Sequence, residues 1–268
     1  MGLTTKILHA ERPHQTFNFL INYFRGIRAD KPPILIVGCG HSGTSVLLRI
    51  LDMHPAIYGI PYESRAFLKS RTKIRLASWF WKKNTIAAGK HRWAEKTPSH
   101  IHAIRRILEE YPDARILLIV RDGRDVAISL RKRTGDFAGG IARWMEDNRA
   151  GEAFWNHPQV FKLAYEELVG RFEEIMPKIC AFLDEPFDAS MRDFHQRKLS
   201  LFRAEDNAAP PDESDTHHNQ HRNWQINQKL FDGSGKWRLE MSSEEKNLFK
   251  QKAGEMLIEY GYETTTNW

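Results

Sequence analysis

Two cysteines in 268 residues, Cys39 and Cys180, are too few for a disulfide framework, and their scarcity fits a reducing compartment. No apolar run approaches the roughly 20 residues that a membrane-spanning helix needs. The opening stretch MGLTTKILHAERPHQ lacks the apolar core of a secretory signal and matches a myristoylation signal only loosely. Zinc-ligand spacing, an aromatic platform motif and a basic stripe are all missing, which removes the usual grounds for nucleic-acid binding. There is no internal repeat. These absences lead to the expectation of a cytoplasmic protein with no membrane span and no nucleic-acid partner. What is present is ordinary for a globular chain: 41% hydrophobic and 28% charged residues, in a length that makes one large domain or two small ones. The net charge of +6, with local groups at Lys69–Arg75 and Arg131–Arg133, suits an anionic substrate or cofactor.

The most informative stretch is ILIVGCGHSGTSVLLR, residues 34–49. Ile34 to Val37 read as a buried strand, Gly38 to Ser45 as a tight turn, and Val46 opens a helix. A strand feeding a glycine-rich turn into a helix N-terminus gathers backbone N–H groups and a favourable dipole around an anion. The spacing nearly fits the nucleotide loop G-x-x-x-x-G-K-[ST]: Gly38, Gly43 and Ser45 are in place, but Thr44 stands where the lysine belongs. Without that lysine, triphosphate chemistry with Mg²⁺ is disfavoured. The alternative is a strand–helix turn with no ligand.

Further along, residues 14–28 carry Phe17, Leu20, Ile21 and Phe24 at helical spacing, and Lys31-Pro32-Pro33 breaks that pattern. Residues 64–92 are basic and aromatic and read as helices. Pro98 to Tyr111 reads as a helix, Arg115 to Val120 as a second buried strand, Asp122 to Arg133 and Ile141 to Trp155 as helices, Val160 to Ala164 as a third strand, and Glu166 to Phe182 as one long helix. Residues 203–221 read as an exposed polar loop, whose His217, His218 and His221 are solvated rather than metal ligands. Ser243 to Tyr260 is a helix with a capping box at Ser242 and Glu245. Recurrent strand–helix units mark an α/β fold.

Chemistry concentrates where the second strand ends, at Val120-Arg121-Asp122-Gly123-Arg124-Asp125, with Ser129 two turns into the next helix. Ligands of open α/β sheets lie beyond the carboxyl ends of the strands, and an arginine fork with a hydroxyl can hold a phosphate. Arg121 could equally pair with Asp122 or Asp125.

With these residues in view, the chain resembles the sulfotransferases that use 3′-phosphoadenosine 5′-phosphosulfate (PAPS), in motif most of all the tyrosylprotein-sulfotransferase-like and bacterial ones. His41-Ser42-Gly43-Thr44-Ser45 resembles the family's 5′-phosphosulfate loop, preceded by Gly40. Arg121 and Ser129 match its 3′-phosphate pair, and Tyr165-Glu166-Glu167-Leu168 its adenine-side tyrosine motif. The resemblance implies a single α/β domain over 33–268, with a central parallel sheet flanked by helices of the P-loop nucleotide-hydrolase type, and a helical extension over 1–32. It implies a PAPS-dependent enzyme that needs no metal and passes a sulfuryl group to a hydroxyl acceptor on a sugar, lipid, phenol or peptide tyrosine, with homodimerisation left open. A non-catalytic nucleotide-binding module and a P-loop small-molecule kinase are the rival readings.

The departures from the family pattern are local. His41 replaces the usual loop Lys or Arg. The C-terminal cofactor loop is matched only by Gly235-Lys236-Trp237-Arg238, which leaves Lys229, Lys236 and Arg238 as candidates for the 3′-phosphate end. Lys96-Thr97-Pro98 keeps the sulfuryl-contacting lysine but puts proline in place of the histidine base. Leu51-Asp52-Met53-His54-Pro55 followed by Glu63-Ser64-Arg65 resembles the tyrosylprotein segment that carries a catalytic glutamate, so Glu63 is the candidate base, with Lys96 and His41 as cations at the transferring group. His100 and His102 are alternative bases.

Overall fold

A computed structural model describes residues 13–197 and 227–268. Its centre is a sheet of five parallel strands in the order β2-β3-β1-β4-β5. The strands are β1 (Ile34–Gly38), β2 (Ile57–Gly59), β3 (Arg92–Lys96), β4 (Arg115–Val120) and β5 (Val160–Ala164). The helices are α1 (Pro13–Phe24), α2 (Thr44–Met53), α3 (Arg71–Ala87), α4 (Ile104–Glu110), α5 (Gly123–Thr134), α6 (Phe137–Glu152), α7 (Tyr165–Gly170), α8 (Phe172–Phe182), α9 (Trp237–Glu240) and α10 (Ser243–Glu259). The candidate loop and histidines of 203–221 lie outside the described residues.

The central strand shows why an unbroken apolar run forms a buried parallel strand. Successive side chains point to opposite faces. Ile34 and Ile36 enter the layer formed with Leu47 and Leu51 of α2 and Ile175 and Ile179 of α8. Leu35 and Val37 enter the opposite layer, with Trp81 of α3, Trp93 and Ile104. Both faces are dry, and each such side chain contributes about 1.5–3 kcal/mol by leaving water. A further cluster, built on Trp144 of α6 and Phe249 and Leu257 of α10, closes the C-terminal end over α5.

Three expectations are corrected. Pro98 to Tyr111 begins as a tight 3₁₀ turn, Pro98–Ala103, before α4 takes over. The long helix over 166–182 is two helices hinged at Arg171, whose φ of −135° and ψ of 40° are not helical. There its N–H closes α7 on the Glu167 carbonyl, and its own carbonyl accepts from Glu174 and Ile175 to open α8. Gly170 just before it weakens any continuous helix. The sheet also has two strands more than the sequence suggests, β2 and β3. Strand β3 (RWAEK) is fully buried despite three charged residues, because each finds partners far away in sequence. Arg92, for instance, donates to the carbonyls of Pro32 and Leu183 and to Glu185. The other helices fall where expected, and the capping box forms: the Glu245 N–H donates to Ser242 Oγ, and the Ser242 N–H to the Glu245 carboxylate.

Candidate active site

Strand β1 delivers the glycine loop to the middle of the sheet's carboxyl edge. Gly43 has φ 91°, and a Cβ there would come 2.5 Å from the Tyr165 ring, so glycine is required on two counts. Helix α2 starts at Thr44 with no side-chain cap, which leaves its first N–H groups facing the loop beside Thr44 and Ser45. Ser42 Oγ is fully buried and has no hydrogen-bond partner among the described residues. A buried hydroxyl left unsatisfied is costly, and an anion in the loop would satisfy it. The loop therefore fits a phosphosulfate. Cys39 in the same loop is inert: burial, then the Asp147 carboxylate, push its thiol well above the ordinary range.

The strand-end arginine meets this loop. Arg121 donates through one terminal nitrogen to the His41 carbonyl (3.0 Å) and through the other to the Gly233 carbonyl (2.7 Å), and its guanidinium lies 4.2 Å over the Tyr165 ring. Ser129 Oγ is 2.7 Å from His41 Nδ1. His41 itself holds φ 70°. The loop and the Arg121–Ser129 pair, expected as two separate anion centres, thus share a wall: His41 gives its ring to Ser129 and its carbonyl to Arg121. Arg121 sits 3.9 Å from Asp125, while Asp122 takes Arg124 instead, at 2.8 Å. Arg124 is the structural arginine of the motif, packed on the rings of Trp237 and Trp268 and bridged to Glu263.

The candidate pair Lys96–Glu63 lies at the end of the neighbouring strand β3, whose Lys96 is in register with Ile36 of β1. Lys96 Nζ is 2.5 Å from Glu63 Oε1; the lysine is buried to 2% exposure and the glutamate to 22%. Neighbouring residues hold them there. Glu95 Oε1 accepts from the Ser64 N–H (3.1 Å), the Ser64 hydroxyl (2.7 Å) and the Thr97 hydroxyl (2.6 Å), and Thr97 Oγ1 accepts from the Arg65 N–H (3.3 Å). Adjacent strand residues point opposite ways, so Glu95 and Lys96 grip Ser64 and Glu63 in succession. The Leu51–Pro55 motif is scaffolding for the same segment: Asp52 accepts from the Gly59 N–H (2.8 Å), and His54 accepts from the Ala56 N–H (3.1 Å).

His100 is fully buried, with Nδ1 3.0 Å from Glu95 Oε2 and Nε2 accepting from the Phe67 N–H (3.3 Å). Its ring is packed inside the scaffold, with no exposed edge to meet an acceptor. His102 Nε2 is 2.7 Å from Asp147 of α6, committed to the same helix that presents Arg143.

Two arginines that sequence reasoning passed over belong here. The Arg143 guanidinium lies against Gly40, where a Cβ would come 2.9 Å from it. Arg133 is one helical turn beyond Ser129 on α5. Burial, then the like charge of Arg143, lowers its pKa, and Glu63 opposes that fall. The i,i+4 relation to Ser129 was the available signal for Arg133; nothing local marked Arg143. Of the C-terminal candidates, Lys229 and Lys236 are exposed, with Lys236 Nζ 5.4 Å over the Phe231 ring, and Arg238 lies 4.7 Å over Trp237. The C-terminal loop reaches Arg121 through the backbone of Gly233.

Residues 63–189 match the model of the sulfotransferase family. That stretch is just under half of the chain, and over it the chain is similar to that family. The match begins at the candidate base and includes Lys96, Arg121, Ser129 and Tyr165. Among curated proteins, the chain is 28% identical over 101 residues to heparan sulfate glucosamine 3-O-sulfotransferase 5 of Mus musculus, covering 37% of this chain and 29% of that one. It is 22% identical over 210 residues to an uncharacterized protein of Aquifex aeolicus, covering 63% and 28%. The chain thus spans under a third of the length of these curated relatives. Among solved structures, mouse sulfotransferase SULT7A1 complexed with PAP is similar at 20% identity and TM-score 0.58, over 92% of this chain and 95% of that one. The sulfotransferase domain from the curacin biosynthetic pathway is similar at 13% and 0.53, over 82% and 97%. At these identities the structures establish a sulfotransferase fold.

Proposed function

We propose that this chain transfers the sulfuryl group of PAPS to a hydroxyl acceptor. The observation that carries this is the buried Lys96–Glu63 pair, pinned beside a glycine loop whose Ser42 hydroxyl is buried and unsatisfied. PAPS supplies an activated sulfuryl group and two anionic centres. Backbone N–H groups of the loop with Gly40, Ser42, Gly43, Thr44 and Ser45 hold the phosphosulfate end; Arg121 and Ser129 hold the ribose phosphate, and Tyr165 flanks the base. Lys96 presents its ammonium to the charge that develops in transfer. Glu63 accepts the proton of the acceptor hydroxyl. Lys96 holds the Glu63 carboxylate in place at 2.5 Å. The family match and the loop's missing lysine both weigh against the kinase and module readings.

Thermal melting tests the cofactor. Adenosine 3′,5′-bisphosphate binds only the native state and is expected to raise the melting temperature by mass action, while ATP with Mg²⁺ does much less. The reverse order would overturn the proposal. A sulfate-transfer screen with labelled PAPS against sugars, lipids, phenols and tyrosine peptides then identifies the acceptor class.

The 3′-phosphate site has its own test. Arg121→Ala is expected to weaken bisphosphate binding by roughly 1.5–3 kcal/mol, the range for charge-assisted hydrogen bonds. A nucleotide lacking the 3′-phosphate should bind almost as before. Equal losses for the two ligands by titration calorimetry would make Arg121 a structural residue only.

A further inference from the structure

Helices α1 and α3 pack together at the edge of the molecule, tied by Asn22 Nδ2, which donates to the carbonyls of Ile86 (2.9 Å) and Ala87 (3.2 Å). Each nevertheless leaves large apolar side chains in solvent. On α1, Phe17, Leu20 and Phe24 recur at helical spacing and Phe24 is 84% exposed; on α3, Leu76 and Trp79 are exposed, Trp79 to 59%. Soluble surfaces scatter such residues singly; grouped on paired helices they mark a contact.

The charge around them is one-sided. Residues 13–29 and 64–94 together contain eleven lysines and arginines and no carboxylate, although the whole chain nets only +6, so the remainder is net acidic. Lys90 and Arg92 of this set turn inward to Asp52 and Glu185, and Arg71 reaches Glu110. Arg25, Arg28, Lys73, Arg75 and Lys82 remain exposed around the aromatic residues.

We propose that the α1–α3 face docks on an anionic lipid surface. Aromatic and aliphatic side chains enter the headgroup boundary, and long cationic side chains reach the phosphates around them. A second copy fits this face poorly, because two faces rich in exposed basic residues would repel. The acidic remainder would orient the molecule with this face toward the lipid. Docking would also bring the site close to the bilayer: the Glu63 segment runs directly into this region, and the Tyr62 hydroxyl accepts from Trp81 Nε1 on the inner side of α3 (3.0 Å).

Vesicle sedimentation of the full chain tests this. Vesicles containing phosphatidylglycerol should retain the protein, pure phosphatidylcholine should retain much less, and added salt should release it. Lys73→Gln, Arg75→Gln and Lys82→Gln together should lower partitioning on the order of 10²-fold, at about five-fold per lost charge. Phe24→Ser and Trp79→Ser should each cost about ten-fold or more with the melting temperature unchanged, since both residues are exposed. Brominated lipid should quench the parent's tryptophan fluorescence more than that of Trp79→Phe. Equal retention by both vesicle types would overturn the proposal. So would salt-sensitive retention that the two serine variants leave intact, which is the behaviour of bulk charge alone. A concentration-dependent dimer dissolved by those same variants would assign the face to a second copy instead.

Discussion

Glu63→Gln is expected to lower turnover by roughly 10²–10⁴-fold, the range for a positioned acid–base group. The amide keeps the shape of the side chain and still reaches Lys96, but it cannot take a proton. Because the role proposed for Glu63 is proton transfer and not cofactor contact, bisphosphate affinity should stay within a few-fold of the parent. His102→Gln should cost far less, since that imidazole is already held by Asp147. Steady-state kinetics and bisphosphate titration on the same preparations separate the outcomes. Sulfate transfer at near-parental rates by the Glu63 variant would sink the base assignment.

The largest stability effect is expected one residue before Lys96. Glu95→Ala would strip the acceptor from the Ser64 N–H, the Ser64 and Thr97 hydroxyls and the His100 ring, all buried. Removing one member of such a buried charged network costs about 3–5 kcal/mol. The network also sets an acid limit. Burial alone would raise the Glu95 pKa, but His100 and the hydroxyls of Thr97 and Ser64 outweigh it and hold the carboxyl below the ordinary range. A carboxyl depressed in the folded state stabilises fully above its unfolded value and loses that contribution as pH falls through the folded one. Urea midpoints of the parent should therefore drop as pH is lowered from about 6 to about 3, and Glu95→Ala should show a shallower drop from an already lower start. Identical slopes would mean the carboxylate is not the acid-sensitive group.

The glycine loop and the strand-end arginine were legible in the sequence because their signals are local: an apolar run, glycines at fixed spacing, an arginine at a strand end; Lys96 and Glu63 were legible only through the resemblance of their motifs to the family's. What was not legible depends on distant partners. Strand β3 reads as polar because nothing nearby shows that Pro32, Leu183 and Glu185 will satisfy Arg92. His100 reads as a free imidazole until Phe67 and Glu95 close on it. Arg121 and Arg124 share one motif, and only the C-terminal residues Trp237, Glu263 and Trp268 reveal that Arg124 is the structural one. The break at Arg171 escaped because the amphipathic pattern continues across it.

The position of β1 bears on how the protein reaches its working state. Its neighbours are β3, pairing Ile34 with Ala94, and β4, pairing Ile34 with Arg115, so both ladders close long stretches of chain, and such pairing is slow to form. During synthesis the loop and its apolar strand emerge well before either wall exists. Until Val120 has left the ribosome, the ILIV run is an unpaired aggregation hazard of the kind chaperones shield. A nascent or truncated chain ending before β4 carries the loop sequence intact yet has no Arg121 to close it, and the Tyr165 ring and Gly233 carbonyl that meet Arg121 come later still.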